Sequence, residues 1–380
     1  MDALYGAGPN QMGLTLIRLR IDPAMDWTDA ILDGQKAKLR GARILATPWT
    51  PPASMKDNGS TVNGGSVIPS QYPNLVAYFN TFTDTMAMNG AQVDVLSVQN
   101  EPDITATYES ARWTAEQLNT FFHNFAGGVN TPMLMPESFH YDQTLSDPTL
   151  NDPVAAANVA YIGGHLYGAG IRDYPLAHSL GKRTWMTEYL VNDQSINSAV
   201  DTAQQINSVL TVGNMSAYIW WKTIGDANGL LSAAGALQPR AYVMAQFSKF
   251  VRPGDIRIDV PFNSSPMGLS AFMDPNSGRF ALVAVNDTTL PVTQSFTING
   301  VVLQSLTPWI TSATQSLEQQ SVLNIGKGVF TYTVPSFSVV TFTGAIRKLV
   351  VCHNGHDISI DINAVPAHLK NGDRIGSCSQ

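Results

Sequence analysis

The sequence predicts an α/β fold, a (β/α)8-type barrel followed by a C-terminal antiparallel β-sandwich domain, and three observations predict it. Short apolar, β-branched runs alternate with helical stretches up to about residue 252, which indicates a parallel sheet with helical crossovers. After Pro253 the pattern changes to short alternating strands separated by turns, such as the turn at 274–278. Two barrel strands end in a glutamate, Glu101 and Glu188.

The barrel shows seven strands, whereas a closed barrel of this type has eight. The predicted strands end near Asp22, Thr47, Asn100, Glu137, Tyr167, Glu188 and Trp221. Helices are predicted between or after them at about 27–39, 74–89, 114–125, 198–212 and 240–251. The loop from Pro48 to about Pro69 is long enough to be functional rather than a mere connector.

The β-sandwich domain is predicted from short strands beyond the barrel. They lie at 255–260, 267–273, 279–285, 294–298, 305–312 and 329–342. We therefore divide the chain into an incomplete catalytic barrel at 1–252, a side domain at 253–346 and a tail at 347–380.

The tail contains both cysteines of the chain and three of its histidines. Cys352 and Cys378 are the cysteines, and the histidines are His353, His356 and His368. A disulfide, a metal site that uses imidazole and thiolate, and neither of these are all open, and the spacing matches no common zinc pattern. We assign no metal ligands and no cofactor.

Composition narrows the partners of the 380-residue chain. The net charge of −7 argues against nucleic acid as a partner. The sequence contains no apolar run of 18 or more residues, so no membrane span is predicted. The first residues do not form a signal peptide, so either the protein stays inside the cell or its leader is not present in this chain. Of these two, we expect a secreted enzyme whose leader is not present here. Without a glycine-rich phosphate loop or a Gly-x-Ser-x-Gly elbow, dehydrogenase, kinase and serine hydrolase functions lack support.

The two strand-end glutamates indicate hydrolysis of a glycosidic bond. One such glutamate alone is most often a solvated loop residue or a helix cap. A pair about 5–5.5 Å apart cleaves a glycoside with retention, one carboxyl giving a proton and the other attacking the anomeric carbon. Repulsion from Glu188 should raise the pKa of Glu101, and Asn100 could bind a sugar 2-hydroxyl.

Aromatic residues at the strand ends suggest a sugar-binding surface. The residues that can stack on sugar rings are Trp49, His165, Tyr167, Trp220 and Trp221, although core packing is an equal alternative for each tryptophan. Of the adjacent Trp220 and Trp221, one should point inward and the other outward. Arg18 either braces the nucleophile or forms a structural ion pair.

Three motifs together resemble glycoside hydrolase family 30, a clan A group, and in particular its bacterial xylanase branch, the glucuronoxylanases. They are Val-Gln-Asn-Glu-Pro-Asp at 98–103, Trp-Met-Thr-Glu at 185–188 and Phe-Ser-Lys-Phe-Val-Arg-Pro-Gly at 247–254. The resemblance runs from about residue 10 to about residue 343 and implies a (β/α)8 barrel fused to a side β-domain. It implies Glu101 as acid/base and Glu188 as nucleophile. It also implies that Trp49, Asn100, Tyr167 and Trp221 line the sugar subsite next to the cleaved bond.

Two departures from the family pattern shape the prediction. In glucuronoxylanases the double tryptophan precedes a Tyr-Ile-Arg-Arg-like segment that grips the glucuronic acid branch, whereas Lys222 and uncharged residues up to Asp226 follow it here. We therefore predict a retaining endo-β-1,4-xylanase that acts on xylan without strict dependence on glucuronic acid branches. The alternatives are a catalytically impaired carbohydrate-binding protein and a β-glucosidase or β-1,6-glucanase of the same family.

The second departure is at the front of the chain, where family members carry about thirty more residues that include the first barrel strand. The strands at 14–22 and 216–221 would then have open edges, with Leu16, Ile17 and Ile219 near water. Open edges and exposed apolar side chains favour pairing with another chain. A homodimer that covers this side of the barrel is therefore expected, and the alternative is that the residues before Gly13 fold across part of the gap.

Overall fold

The computed structural model describes residues 1–261, 265–325 and 328–379. The chain forms two compact units. The first comprises Met1–Gly6, Leu14–Leu190 and Ser208–Lys222, and the second comprises Ala7–Gly13, Val191–Asn207 and Thr223–Gln380. Among the described helices, none combines the length and the apolar character that crossing a membrane requires.

The first unit is built on a parallel sheet whose strands follow one another in chain order. The strands are β1 (Leu16–Ile21), β2 (Arg43–Pro48), β3 (Val95–Ser97), β4 (Met133–Ser138), β5 (Val159–His165) and β6 (Arg183–Glu188). A seventh segment pairs with β6 in parallel, because Ser216 N donates to Thr184 O and Ile219 N donates to Met186 O, both at 2.9 Å. The predicted barrel architecture is therefore confirmed.

One short helix precedes β1, and the other helices lie between successive strands, as crossovers between parallel strands require. They are α1 (Asp2–Tyr5), α2 (Thr28–Lys38), α3 (Tyr72–Met88), α4 (Ala115–Asn124), α5 (Asp147–Asn151), α6 (Pro153–Ala157), α7 (Pro175–Ser179) and α8 (Ile196–Thr211). Helix α4 begins with a capping box between Thr114 and Gln117, which satisfies two otherwise unpaired backbone donors. The five-residue helices α5, α6 and α7 are too short for a helical period to be visible in the sequence.

The second unit contains helix α9 (Pro239–Ser248) and an antiparallel sheet. The sheet strands are β7 (Ile256–Ile258), β8 (Gly268–Met273), β9 (Arg279–Asn286), β12 (Ser305–Thr311), β13 (Glu318–Gln319), β14 (Leu323–Asn324) and β16 (Ser338–Ala345). They run in the order β13-β12-β16-β9-β8-β7, with β14 also paired to β12. The side chain of Gln246 ties α9 to this sheet by donating to Thr311 Oγ1 at 2.9 Å.

Two smaller sheets complete the second unit, and aromatic side chains join one of them to the large sheet. Strand β10 (Val292–Thr297) pairs with β15 (Val329–Val334), while β11 (Val301–Val302) pairs with a strand of the C-terminal segment. Phe296 stacks on Phe330 at 4.8 Å, and both rings contact Phe342. The predicted antiparallel β-domain is therefore confirmed.

The residues after Arg347 form regular structure rather than a loose tail. They form β17 (Lys348–His353), β18 (His356–Asp361), α10 (Val365–Lys370) and β19 (Arg374–Ile375). Val351 and Val365 are fully buried, and Leu349 and Val365 belong to the same core as Phe342. A disulfide joins Cys352 to Cys378, which selects one of the three alternatives left open for these residues.

Candidate active site

The two strand-end glutamates lie at the carboxyl edge of the parallel sheet, where active sites of barrels are built. Glu188 is the last residue of β6, and Glu101 lies four residues after the end of β3. Two backbone hydrogen bonds hold Glu101 in place, since Asn100 N donates to Pro48 O at 2.9 Å and Glu101 N donates to Glu137 O at 3.0 Å. The ends of β2 and β4 therefore determine where Glu101 lies.

The backbone at this edge adopts a conformation that non-glycine residues rarely take. Glu101 has a φ of 48° and Glu137 has a φ of 63°. Such left-handed geometry costs an L-residue about 1–2 kcal/mol and persists only where the surroundings enforce it. Both glutamates are also buried, with 4% and 0% of their surface exposed. The fold therefore positions these carboxylates against local preference.

Arg18 of β1 connects three polar groups that are distant in sequence. Its Nε donates to Glu137 Oε1 at 2.8 Å, its Nη1 to Glu188 Oε2 at 2.7 Å and its Nη2 to Asn100 Oδ1 at 2.6 Å. The guanidinium carbon also lies 4.5 Å from the centre of the Trp49 ring. Burial lowers the pKa of Arg18, but the two carboxylates raise it overall, so the group stays charged. Arg18 thus braces Glu188 and is at the same time part of a buried ion pair.

Glu137 is a third buried carboxylate, and the sequence pattern predicted it only as the end of a strand. Besides Arg18, it accepts a hydrogen bond from Thr47 Oγ1 at 3.0 Å. Burial raises the pKa of Glu137, but the charge of Arg18 and interactions with His165 lower it to about 2 overall. Its position at a strand end is the signal that could have identified it.

Glu101 accepts hydrogen bonds on both carboxylate oxygens. Tyr108 OH donates to Oε2 at 2.6 Å, and His165 Nδ1 lies 3.0 Å from Oε1. Burial raises the pKa of Glu101, but the hydrogen bond and charge of His165 and the hydrogen bond of Tyr108 outweigh it, so the pKa lies below its usual value. The expected upward shift was therefore wrong. Tyr108 lies in a loop, and nothing in the sequence pattern pointed to it.

His165 explains why the pKa of Glu101 is lowered rather than raised, because it places a cation between the carboxylates. Its Nδ1 is 3.9 Å from Glu188 Oε1, its Nε2 is 3.8 Å from Glu137 Oε1, and its side chain is 0% exposed. Burial lowers the pKa of His165, but the charge of Glu188 and interactions with the other two glutamates raise it to about 9 overall. We expected His165 to stack on sugar, whereas its contacts here are with carboxylates and with the edge of Tyr167.

The spacing of the two glutamates is short. One oxygen of Glu101, one nitrogen of His165 and one oxygen of Glu188 all lie within 4.8 Å of one another. The other oxygen of Glu188 is held by Arg18, and Tyr167 OH donates to Oε1 at 3.0 Å. The atoms of Glu101, His165 and Glu188 that lie within 4.8 Å of one another are of the types that ligate metal ions. Hydrogen bonds from protein donors, however, already occupy both oxygens of each glutamate. The arrangement suits two carboxylates that act on one bond.

Aromatic side chains surround the carboxylates. The rings of Trp49 and Trp221 lie 5.5 Å apart, and both residues are partly exposed. Tyr167 stacks between Phe139 at 4.8 Å and Tyr189 at 5.5 Å. Trp220 is instead 7% exposed and contacts the edge of Tyr189, so the adjacent tryptophans point in different directions as expected. Of the predicted sugar-binding aromatics, Trp49, Tyr167 and Trp221 keep exposed ring surface beside the glutamates.

The proteins similar to this chain that are described here are all named as xylanases. No protein-family model matches the chain. The glucuronoxylanase XynC of Bacillus subtilis (strain 168) is 33% identical over 356 residues, which cover 90% of this chain and 83% of that protein.

Two solved structures share the fold over most of their length. The glycoside hydrolase family 30 subfamily 8 xylanase Xyn30A of Clostridium acetobutylicum has a TM-score of 0.86 and 38% identity, over 90% of this chain and 91% of that chain. The family 30 endoxylanase of Clostridium papyrosolvens has a TM-score of 0.82 and 32% identity, over 90% and 92% of the two chains.

Proposed function

This chain belongs to glycoside hydrolase family 30, and we propose that it is a retaining endo-β-1,4-xylanase in which Glu188 is the nucleophile and Glu101 the acid/base. The observation that carries the proposal is the separation of these carboxylates, since an oxygen of each lies within 4.8 Å of the other. Retaining enzymes need carboxyl groups about 5–5.5 Å apart, whereas inverting enzymes need about 6.5–9.5 Å to admit a water.

The reaction proceeds in two displacements at the same carbon. Glu188 attacks the anomeric carbon of a xylose unit while Glu101 gives a proton to the leaving glycosidic oxygen, so that one C–O bond forms and one breaks. Water then attacks the glycosyl-enzyme, Glu101 takes a proton from it and the bond to Glu188 breaks. Arg18 and Tyr167 hold the oxygens of Glu188 and orient it for the attack.

The proton of the first step is shared between Glu101 and His165. In the free enzyme the lowered pKa of Glu101 and the raised pKa of His165 put this proton on the imidazole. Because the two groups lie 3.0 Å apart, the proton can pass to Glu101 when the glycosidic oxygen approaches. The pair therefore loses its catalytic proton as one unit at high pH.

Substrate contacts come from the aromatic surface and from Asn100. Trp49 and Trp221 offer ring faces to the apolar faces of xylose, whereas Tyr167, whose faces are stacked on Phe139 and Tyr189, offers its ring edge. The oxygen of Asn100 accepts from Arg18, so its amide N–H groups are those it offers to a sugar 2-hydroxyl. A hydrogen bond to that hydroxyl strengthens in the transition state.

Glucuronic acid branches are not required for binding in this proposal. Lys222, directly after the double tryptophan, is exposed, and no arginine lies between it and Pro239. Arg240 is fully buried and donates to Asp193 O and Ser198 Oγ, so its guanidinium is engaged inside the second unit. A lysine cannot reproduce the bidentate grip of arginine on a carboxylate.

A first experiment tests activity and stereochemistry together. The purified chain is incubated with xylooligosaccharides, and the anomeric proton of the first product is followed by NMR. We expect the β-anomer first, followed by slow mutarotation; the α-anomer first would exclude retention. Binding of xylan without release of reducing sugar would favour the carbohydrate-binding alternative. A panel with β-1,6-glucan and a β-glucoside separates xylanase activity from the other activities expected within the family.

Secretion and self-association complete the proposal. The Cys352–Cys378 disulfide supports an oxidising location, because such bonds persist outside the cytosol.

A homodimer would cover the edge of β1, which pairs with β2 alone among the described strands. Ile17 is only 9% exposed and Leu16 is half-buried, so backbone pairing rather than apolar burial would have to hold that contact. Sedimentation at micromolar concentration tests it, and a monomer would exclude the dimer.

A further inference from the structure

Two histidines and an aspartate of the second unit converge near the C-terminal end of the chain. Asp373 Oδ2 lies 2.8 Å from His353 Nδ1 and 2.6 Å from His368 Nδ1. One nitrogen or oxygen from each residue can be chosen so that all three atoms lie within 4.8 Å of one another. The two imidazole rings have centres 5.5 Å apart and are inclined at 80°. Three potential metal ligands therefore point at one small volume.

Regular structure and a covalent bond hold these residues in place. His353 ends β17, His368 lies in α10 and Asp373 directly precedes β19, which pairs with β17. Asp373 N also donates to His368 O at 3.1 Å. The disulfide between Cys352 and Cys378 anchors the strand at the residue next to His353. A site on such elements is preorganised, which reduces the entropy lost on binding a ligand.

The charge balance of the cluster is unusual. The side chain of Asp373 is 7% exposed, and among the described residues its ion-pair partners are the two histidines. The buried glutamates of the active site, by contrast, share the guanidinium of Arg18. One carboxylate with two neutral imidazoles is a donor set that suits zinc and related divalent transition metals.

We propose that His353, His368 and Asp373 bind one divalent transition-metal ion of the zinc class. The present N···O separations of 2.6 and 2.8 Å are hydrogen-bond lengths, and an ion about 2.0–2.2 Å from each ligand spreads them by less than about 1 Å. Each ring coordinates through the lone pair of Nδ1 and keeps its single proton on Nε2, so both imidazoles are neutral in the complex. Because the histidine side chains are 42% and 26% exposed, water completes the coordination shell. The ion fixes β17, α10 and β19 to one another.

The test uses the full chain without a polyhistidine tag. Metal-free protein is titrated with ZnCl₂ in a calorimeter and with CoCl₂ in a spectrophotometer, and its thermal unfolding is recorded with and without Zn²⁺. We expect one equivalent of Zn²⁺, a visible Co²⁺ spectrum typical of nitrogen and oxygen ligands, and a higher unfolding temperature with Zn²⁺. His353→Ala, His368→Ala and Asp373→Asn should each weaken Zn²⁺ binding by at least about tenfold, the loss that even removal of an outer-shell partner can cause.

Two control variants separate this site from other histidines. His123→Ala removes a comparable histidine that lies 2.7 Å from Asp152 in the first unit, and His356→Ala removes the cross-strand neighbour of His353. Both should bind one equivalent as the unmodified chain does. No Zn²⁺ binding by the unmodified chain would overturn the proposal, as would equal weakening in either control. If a ligand variant loses its circular dichroism signal, the stoichiometry and the Co²⁺ spectrum of the unmodified chain decide the question alone.

Discussion

His165 Nδ1 lies 3.0 Å from Glu101 Oε1, although the two residues are 64 positions apart in the chain. The imidazole is fully buried and also lies 3.9 Å from Glu188. A protonated histidine between two carboxylates removes the repulsion that the glutamates would otherwise exert on each other. The two carboxylates can therefore lie close together without one of them having to take up a proton.

The first prediction concerns the roles of the two glutamates. Glu101→Gln should lower the rate of xylan hydrolysis by about 10²–10⁴-fold, the usual contribution of a general acid, and Glu188→Gln should lower it at least as much. Azide should rescue Glu101→Ala and give the β-glycosyl azide, whereas Glu188→Ala should give the α-glycosyl azide. Glu116→Gln, on the exposed face of α4, is the control and should keep full activity. Azide products of the opposite configuration would reverse the assignment.

The second prediction concerns pH. The proton shared by Glu101 and His165 is lost as pH rises, so kcat/KM should fall on the alkaline side near the pKa of about 9 that His165 has in this structure. Tyr108→Phe removes a donor to the Glu101 carboxylate, which makes that carboxyl hold its proton more tightly. The alkaline limb should then move to higher pH. Tyr332→Phe, in β15, should leave the profile unchanged, and an unmoved limb in Tyr108→Phe would contradict the shared proton.

The third prediction concerns stability. Glu137→Gln leaves part of the Arg18 guanidinium buried without its carboxylate, so the free energy of unfolding should fall by about 3–5 kcal/mol at neutral pH. Glu109→Gln removes a partly exposed partner of Arg20 and should change it by about 0–1 kcal/mol. Chemical denaturation measures both.

The pH dependence of this difference follows from the lowered pKa of Glu137. A depressed carboxyl pKa contributes stability above its unfolded value of about 4.3, and that contribution disappears as pH falls through the folded value of about 2. The gap between the unmodified chain and Glu137→Gln should therefore narrow between these two pH values. A gap that stays constant would show that packing, not charge, explains the loss.

The fourth prediction concerns the substrate. Linear xylooligosaccharides and glucuronoxylan should be cleaved at comparable rates, with products whose lengths are not set by the branches. Lys222→Ala should leave the ratio of the two rates unchanged, since an exposed lysine is not a bidentate clamp. Cleavage of glucuronoxylan at one bond per branch, with slow cleavage of linear chains, would show that another residue binds the glucuronate.

Much of the fold could be predicted because its signals are local. Apolar period and turn residues lie within each segment, so the alternation of strands and helices and the change after Pro253 were readable. The site was predictable in part for the same reason. Parallel strands bring their carboxyl ends to one edge, which predicts that Glu101 and Glu188 lie together.

By itself, then, the sequence determined the architecture, the edge that carries the site and the pair of glutamates. Only the tertiary structure decided the charge environment of that pair, because pKa values depend on distances between residues far apart in the chain. Arg18 donates a hydrogen bond to Glu188, which is 170 positions away in the chain. Tyr108, which donates to Glu101, lies in a loop whose sequence has no recognisable periodicity. The pairing of Cys352 with Cys378, and the meeting of His353 and His368 at Asp373, likewise required the three-dimensional course of the last strands.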